Sequence, residues 1–206
     1  MQRRELIRTL AGGMSARSAL ANDAKPCRAP SGPRDGYFPN VVLTTHENGK
    51  VKFYDDLVRG KIVVFSMMYT TCDGRCPLYT ANLLKVHKLL REQPGQSIFL
   101  YSITLDPLVD TPKVLNRYVE AHGIGAGWTF LTGKQADIEL LRRRLGFVEP
   151  DPVLDSQKSA HTGLIRYGNE KLDRWSASPA MTNPTELARY IRRMEQDAPA
   201  SKELQS

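Results

Sequence analysis

Two near-continuous apolar runs constrain this chain more than any other feature: Lys61–Tyr69 (KIVVFSMMY) and Ser97–Leu105 (SIFLYSITL). Runs of this kind suit strands covered on both faces. Each is followed by a segment of helical period. Pro77–Gln93 carries Leu83, Val86 and Leu90 at i, i+3 and i+7, and Pro94-Gly95 stops it. Thr111-Pro112 opens the next helix, with Thr as cap, Pro at the first helical position, Val114, Leu115, Tyr118 and Val119 as inner face and Gly123 at the end. The rest of the chain continues the alternation. Val41–Thr44 and Val51–Phe53 flank His46-Glu47-Asn48-Gly49, an Asn-Gly turn that joins antiparallel strands. Trp128–Leu131 is a short strand. Thr132 and Gln135 make a capping pair for a helix with Ile138, Leu141 and Leu145 inside. Thr162–Tyr167, a Gly168-Asn169 turn and Leu172–Trp175 form a hairpin. Asn183-Pro184 with Glu186 opens a last helix bearing Leu187, Tyr190, Ile191 and Met194. The expected fold is one α/β sheet with helices on both faces and added hairpins.

At 206 residues the chain is long enough for one domain whose core needs no staples, so its 3 cysteines are not a disulfide framework. The domain is expected over residues 37–196, between a Pro-, Gly-, Arg- and Asp-rich linker at 22–36 and a flexible tail at 197–206. The net charge of +7 does not require a nucleic-acid partner, because residues 1–21 alone supply +3 of it and leave a mild excess of +4. That first segment pairs Arg3-Arg4 with Leu6-Ile7 and Arg8, and ends in the small residues Ala19-Leu20-Ala21. It resembles a twin-arginine export signal, cut to leave a mature chain beginning near Asn22, which places the protein in the periplasm or cell envelope. Cys27 reads as an unpaired thiol in the linker. No run reaches the roughly 18 apolar residues that span a bilayer.

The chemistry concentrates between the first apolar run and its helix, at Thr71-Cys72-Asp73-Gly74-Arg75-Cys76-Pro77. The carboxyl end of a buried strand is where α/β sheets bind ligands. A helix N-terminus stabilises a thiolate there, so Cys72, farther out on the loop, is expected to be the more exposed thiol of lower pKa. Two thiols at this spacing can cycle between dithiol and disulfide, or hold a soft metal such as Cu(I) or Zn(II) if a third ligand comes from elsewhere. Two buried structural cysteines are the alternative. Among the histidines, His46 reads as a solvated turn residue and His87 as a mid-helix residue three turns beyond Cys76. His122 sits at a helix C-terminus, and His161 lies at a loop–strand junction from which a side chain can cross the sheet edge. Met67 and Met68 read as core, and Arg142-Arg143-Arg144 as the wet face of a helix. Gly127–Gln135 lacks the spacing of a phosphate loop.

Cys72-Asp73-Gly74-Arg75-Cys76-Pro77, then Ser102-Ile103-Thr104-Leu105-Asp106-Pro107 with Asp110-Thr111-Pro112, then Trp128-Thr129-Phe130-Leu131-Thr132-Gly133, resemble the Sco/SenC family from about Phe38 to Met194. The resemblance implies a thioredoxin-like fold, with copper, as Cu(I) or Cu(II), held by Cys72, Cys76 and a distant histidine that corresponds to His161. It also implies a role in assembling the dinuclear copper centre of cytochrome c oxidase, with the copper-accepting subunit or another copper chaperone as partner. Where the family carries a carboxylate before that histidine this chain has Ala160, and Asp155 is the candidate to replace it. The loop from Gly146 to Ala160 is expected to pass over the edge carrying the cysteines, mobile and kept irregular by Pro150, Asp151 and Pro152. Two other functions stand beside copper delivery: a thiol–disulfide oxidoreductase using Cys72 and Cys76, and a thioredoxin-like binding module with an inert pair.

Overall fold

The computed structural model describes residues 32–72, 74–92, 95, 97–157 and 163–195. The export segment, most of the linker with Cys27, the C-terminal tail, and Ala160, His161 and Thr162 lie outside the described residues.

Among the described residues the order is β1 (Val42–Thr45), β2 (Lys50–Lys52), a π-helical turn (Phe53–Val58), β3 (Ile62–Met68), α1 (Arg75–Glu92), β4 (Ile98–Thr104), α2 (Pro112–Ala121), β5 (Trp128–Thr132), α3 (Gln135–Arg144), α4 (Pro152–Asp155), β6 (Leu164–Asn169), β7 (Arg174–Pro179) and α5 (Pro184–Arg192). The strands form one sheet in the order β2-β1-β5-β4-β3-β6-β7. The two apolar runs are its centre: β3 and β4 are parallel, from Ile62↔Ile98 to Met68↔Thr104, and every β3 side chain is buried. A strand flanked on both edges and covered on both faces has no position for a polar face, which is why its sequence does not alternate.

The two faces have separate cores. On one, Val63, Phe65 and Met67 pack with Phe53, Tyr54, Leu57, Ile138 and Leu141. On the other, Val64 and Met68 pack with Leu83, Val86 and Leu90 of α1, Leu115 and Val119 of α2, and Leu187 and Ile191 of α5. Met67 and Met68 therefore point to opposite cores, as period 2 requires. The expected caps hold for α2 and α5: the Thr111 side chain accepts from the Val114 N–H, and Asn183 accepts from Thr185 and Glu186. Gly123 ends α2 in a left-handed conformation (φ 61°), with the Ile124 N–H returning to the Val119 carbonyl at 3.1 Å.

Four local expectations are corrected. Thr132 does not cap α3: it completes β5 opposite Thr44, and the helix begins after Lys134. Phe53 leaves the second strand to begin the π-helical turn, whose Tyr54 and Asp55 N–H groups are both accepted by Asn40 Oδ1 at 3.1 Å. The 22–36 linker ends earlier than expected, because Arg34 pairs with Asp173 and Asp35 bridges to Phe38, itself buried against Phe53 and Trp175. This segment joins the body beside the Glu170–Asp173 turn, at the opposite end of the sheet from Cys72.

The fourth correction concerns Gly168-Asn169, which is strand rather than turn; the chain reverses at Glu170–Asp173. Gly168 is required by a close approach: a Cβ there would lie against the Arg174 carbonyl and 2.5 Å from the Trp175 ring. Gly168→Ala is therefore expected to cost about 1–3 kcal/mol, the usual penalty of forcing extra volume into a packed site. Urea denaturation measures it, and an unchanged midpoint would show that the strands can separate freely here.

Candidate thiol and metal site

β3 delivers Tyr69–Cys72 to the carboxyl end of the sheet, and α1 starts at Arg75, two residues earlier than its sequence suggests. Cys76 thus lies in the first helical turn, 2% exposed, while Cys72 is half-buried on the preceding loop. The Cys76 backbone N–H donates to Cys72 Sγ at 3.4 Å. A helix N-terminal N–H aimed at sulfur stabilises the thiolate over the thiol. Burial pushes the Cys72 thiol up, but hydrogen bonds from the Cys76 thiol and N–H, the Gly74 N–H and Tyr69 outweigh it and bring the pKa down from 9.0 to about 7. Cys72 is the more accessible of the two thiols, as expected from the sequence.

The loop is held from behind by Asp110, a residue with no exposed surface. Its carboxylate accepts from the Thr70 N–H at 3.1 Å, from the Thr70 hydroxyl, and from the Thr104 hydroxyl at 2.5 Å. The backbone folds to bring it there, since the Asp110 N–H donates to the Asp106 carbonyl and the Asp106 N–H to Thr104 Oγ1. In the sequence the signal for Asp110 is its position two residues before a proline-started helix. Tyr118 is a second neighbour missed by sequence. Its hydroxyl shares a 2.8 Å hydrogen bond with Thr80, and burial together with the charges of Cys76, Cys72 and Asp110 raises its pKa.

The other histidines do not approach the thiols. His46 is not simply solvated: it is half-buried, edge-on to Phe130, and its Nδ1 accepts from the Phe130 N–H at 3.3 Å. His87 is buried against Trp128, and burial lowers its pKa. His122 Nδ1 lies 2.9 Å from the Tyr118 carbonyl, the helix-end role expected of it. Among the described residues no three His, Cys, Asp or Glu side chains converge on a metal position. The ligand expected from the resemblance, His161, lies outside them.

The segment leading toward His161 departs from expectation as far as Gln157. It is not irregular, because Asp151 accepts from the Val153 N–H at 2.8 Å and caps α4 with Pro152 at its start. Asp155, the candidate to replace the missing carboxylate, is held by Arg142. Both of its oxygens are taken by Arg142, each at 2.8 Å, and Oδ1 also accepts from the Glu149 N–H. Arg142, expected on a wet face, is 5% exposed. Its fork also donates to the Phe147 carbonyl, so this guanidinium pins the segment at two points.

These features define a class: a domain of layered α/β architecture presenting a dithiol at a helix N-terminus on the carboxyl edge of its sheet. The SCO1/SenC family model matches residues 41–196, and the chain belongs to that family. It is 28% identical over 96 residues to the SCO1 protein homolog of Bacillus subtilis, covering 46% of this chain and 49% of that protein. A relative from Stutzerimonas stutzeri is 25% identical over 65% of this chain, and the match spans 64% of that protein's length. The chain thus spans about half to two thirds of these relatives. Among solved structures it resembles a SCO1/SenC family lipoprotein from Bacillus anthracis (TM-score 0.64, 19% identity, 77% of this chain and 95% of that one). It also resembles yeast Sco1 with copper bound (TM-score 0.60, 16% identity, 79% and 94%). The fold is thioredoxin-like. Among the described residues no helix is long and apolar enough to cross a membrane.

With its pKa near 7, Cys72 is expected to be alkylated faster than Cys76, at a rate rising with pH to half its plateau close to neutrality. A thiol depressed in the folded state stabilises the fold above its ordinary value of 9.0, and that contribution is lost as pH falls toward 7. Peptide mapping after brief alkylation across this range would refute the assignment if Cys76 reacted first.

Proposed function

We propose that this protein binds copper through Cys72, Cys76 and His161 and passes it, as cargo, to a copper-accepting subunit of cytochrome c oxidase or another copper chaperone. The observation that carries the reading is the donation of the Cys76 N–H to Cys72 Sγ, which holds one sulfur as a ready thiolate beside a second. The donor set suits the ion, since paired soft thiolates favour Cu(I), and an added imidazole extends the site to Cu(II). Copper is present in the structurally similar yeast Sco1 and in ScoI of Bradyrhizobium japonicum, the latter with a TM-score of 0.57. In this chain Cys72 presents the accessible thiolate, Cys76 backs it, and Asp110 fixes Thr70 and so the loop. Transfer needs only exchange of one thiolate for a ligand of the acceptor at Cys72, the more accessible of the pair. The test is metal analysis of protein reduced, loaded with Cu(I) and desalted, compared with both cysteine variants.

Export supports the same reading, through Arg3-Arg4 and the Ala19-Leu20-Ala21 site. N-terminal sequencing of envelope material should begin near Asn22. A second reading, thiol–disulfide exchange, draws on the asymmetry of an acidified, half-buried thiol beside a covered one. The histidine separates the two, because exchange between Cys72 and Cys76 does not require it.

A further inference from the structure

Alternation along β6 sends Ile165 and Tyr167 into the core beneath α1 and α5, so Arg166 lies on the other face. There its Nη2 donates to the Gly146 carbonyl at 2.6 Å, while its buried Nε has no acceptor among the described residues. The same side chain lines a cavity of about 200 Å³ at the sheet edge, with Arg34, Arg144 and an aromatic floor of Tyr37, Phe38 and Trp175. The floor is built: Phe38 meets Trp175 and Tyr37 edge-on at 5.0 Å each. Arg34 is paired with Asp173, which also accepts from Trp175 Nε1 at 3.1 Å. Arg144 is exposed, and among the described residues no carboxylate pairs with it or with Arg166.

Three guanidiniums against one carboxylate leave this cavity electropositive. The planar fork of arginine matches a carboxylate, and its neighbours offer flat apolar contact. At about 30 Å³ per water the volume holds roughly seven waters, the space of a small compound and not of a drug-sized one. We propose that the Arg34–Arg144–Arg166 cavity binds a small carboxylate carried on an apolar or aromatic body, at a site separate from the thiols and independent of the copper reading.

Trp175 is the reporter, and Trp128, buried in the other core, is the internal control. Full-length reduced protein is titrated with benzoate while the indole N–H resonances are followed. The expected result is a saturable shift of Trp175 with Trp128 unmoved, weakened tenfold or more in Arg166→Gln and in Arg144→Gln. Arg144 is exposed, so its variant tests the site even if Arg166→Gln perturbs the fold. Benzyl alcohol, the neutral counterpart, should give no saturable shift, and inorganic phosphate should bind more weakly than benzoate. The proposal is overturned if benzoate leaves Trp175 unmoved, if both folded variants bind as the parent does, or if benzyl alcohol or phosphate binds as tightly.

Discussion

Replacing Cys76 by Ser is expected to abolish stoichiometric copper binding by the reduced protein, with affinity for Cu(I) falling by roughly a hundredfold or more, equivalent to about 2.7 kcal/mol. The loss should be large because a soft cation loses one of only two thiolates, and a hydroxyl does not replace it. Cys72→Ser should do the same. His161→Ala should differ in kind: Cu(II) binding is lost or greatly weakened, Cu(I) survives better, and the fold and the disulfide chemistry stay intact. Metal analysis with visible absorption separates these outcomes. Copper retained by Cys76→Ser would end the copper proposal. Unchanged Cu(II) spectrum and affinity in His161→Ala would return that histidine to a structural role and strengthen the oxidoreductase reading.

Asp110→Ala should be the most destabilising single change to the loop's support. The carboxylate is wholly buried, and its removal strands the fully buried Thr104 hydroxyl and the partly buried Thr70 N–H. A buried donor left unpaired costs about 1–3 kcal/mol and a partly buried one less, so a loss of about 2–4 kcal/mol is expected from a domain whose total is about 5–15 kcal/mol. Asp110→Asn keeps one carbonyl oxygen and should lose less. Urea denaturation gives the magnitude, and alkylation of Cys72 gives the local consequence, since Thr70 lies two residues before it. A parent-like midpoint in Asp110→Ala would show that the hydrogen bonds do not hold the loop.

Most of the architecture was legible because it rests on local signals. The apolar runs of β3 and β4, the Pro-started helices and the cysteine pair each announce themselves within ten residues. What escaped depends on partners distant in sequence. Arg142 looks like any basic residue in a triplet until Asp155, thirteen positions on, is seen closing on it. Gly168-Asn169 has turn composition, yet the Trp175 ring across the hairpin is what requires the glycine. The six-residue π-helical turn is too short to develop a period. Of the candidate site, the two thiols and their asymmetry were legible from their place at a strand–helix junction, whereas their support by Asp110 was not.

The attachment of Gly32–Phe38 beside the Glu170–Asp173 turn gives the domain a polarity. Strand β3 runs from that end toward Cys72, and its seven residues at ~3.3 Å each span roughly 20 Å. The dithiol stands off from that attachment by the height of the sheet, at its opposite end. The end of the sheet that carries the dithiol is thus left clear of the segment that enters the domain at Gly32.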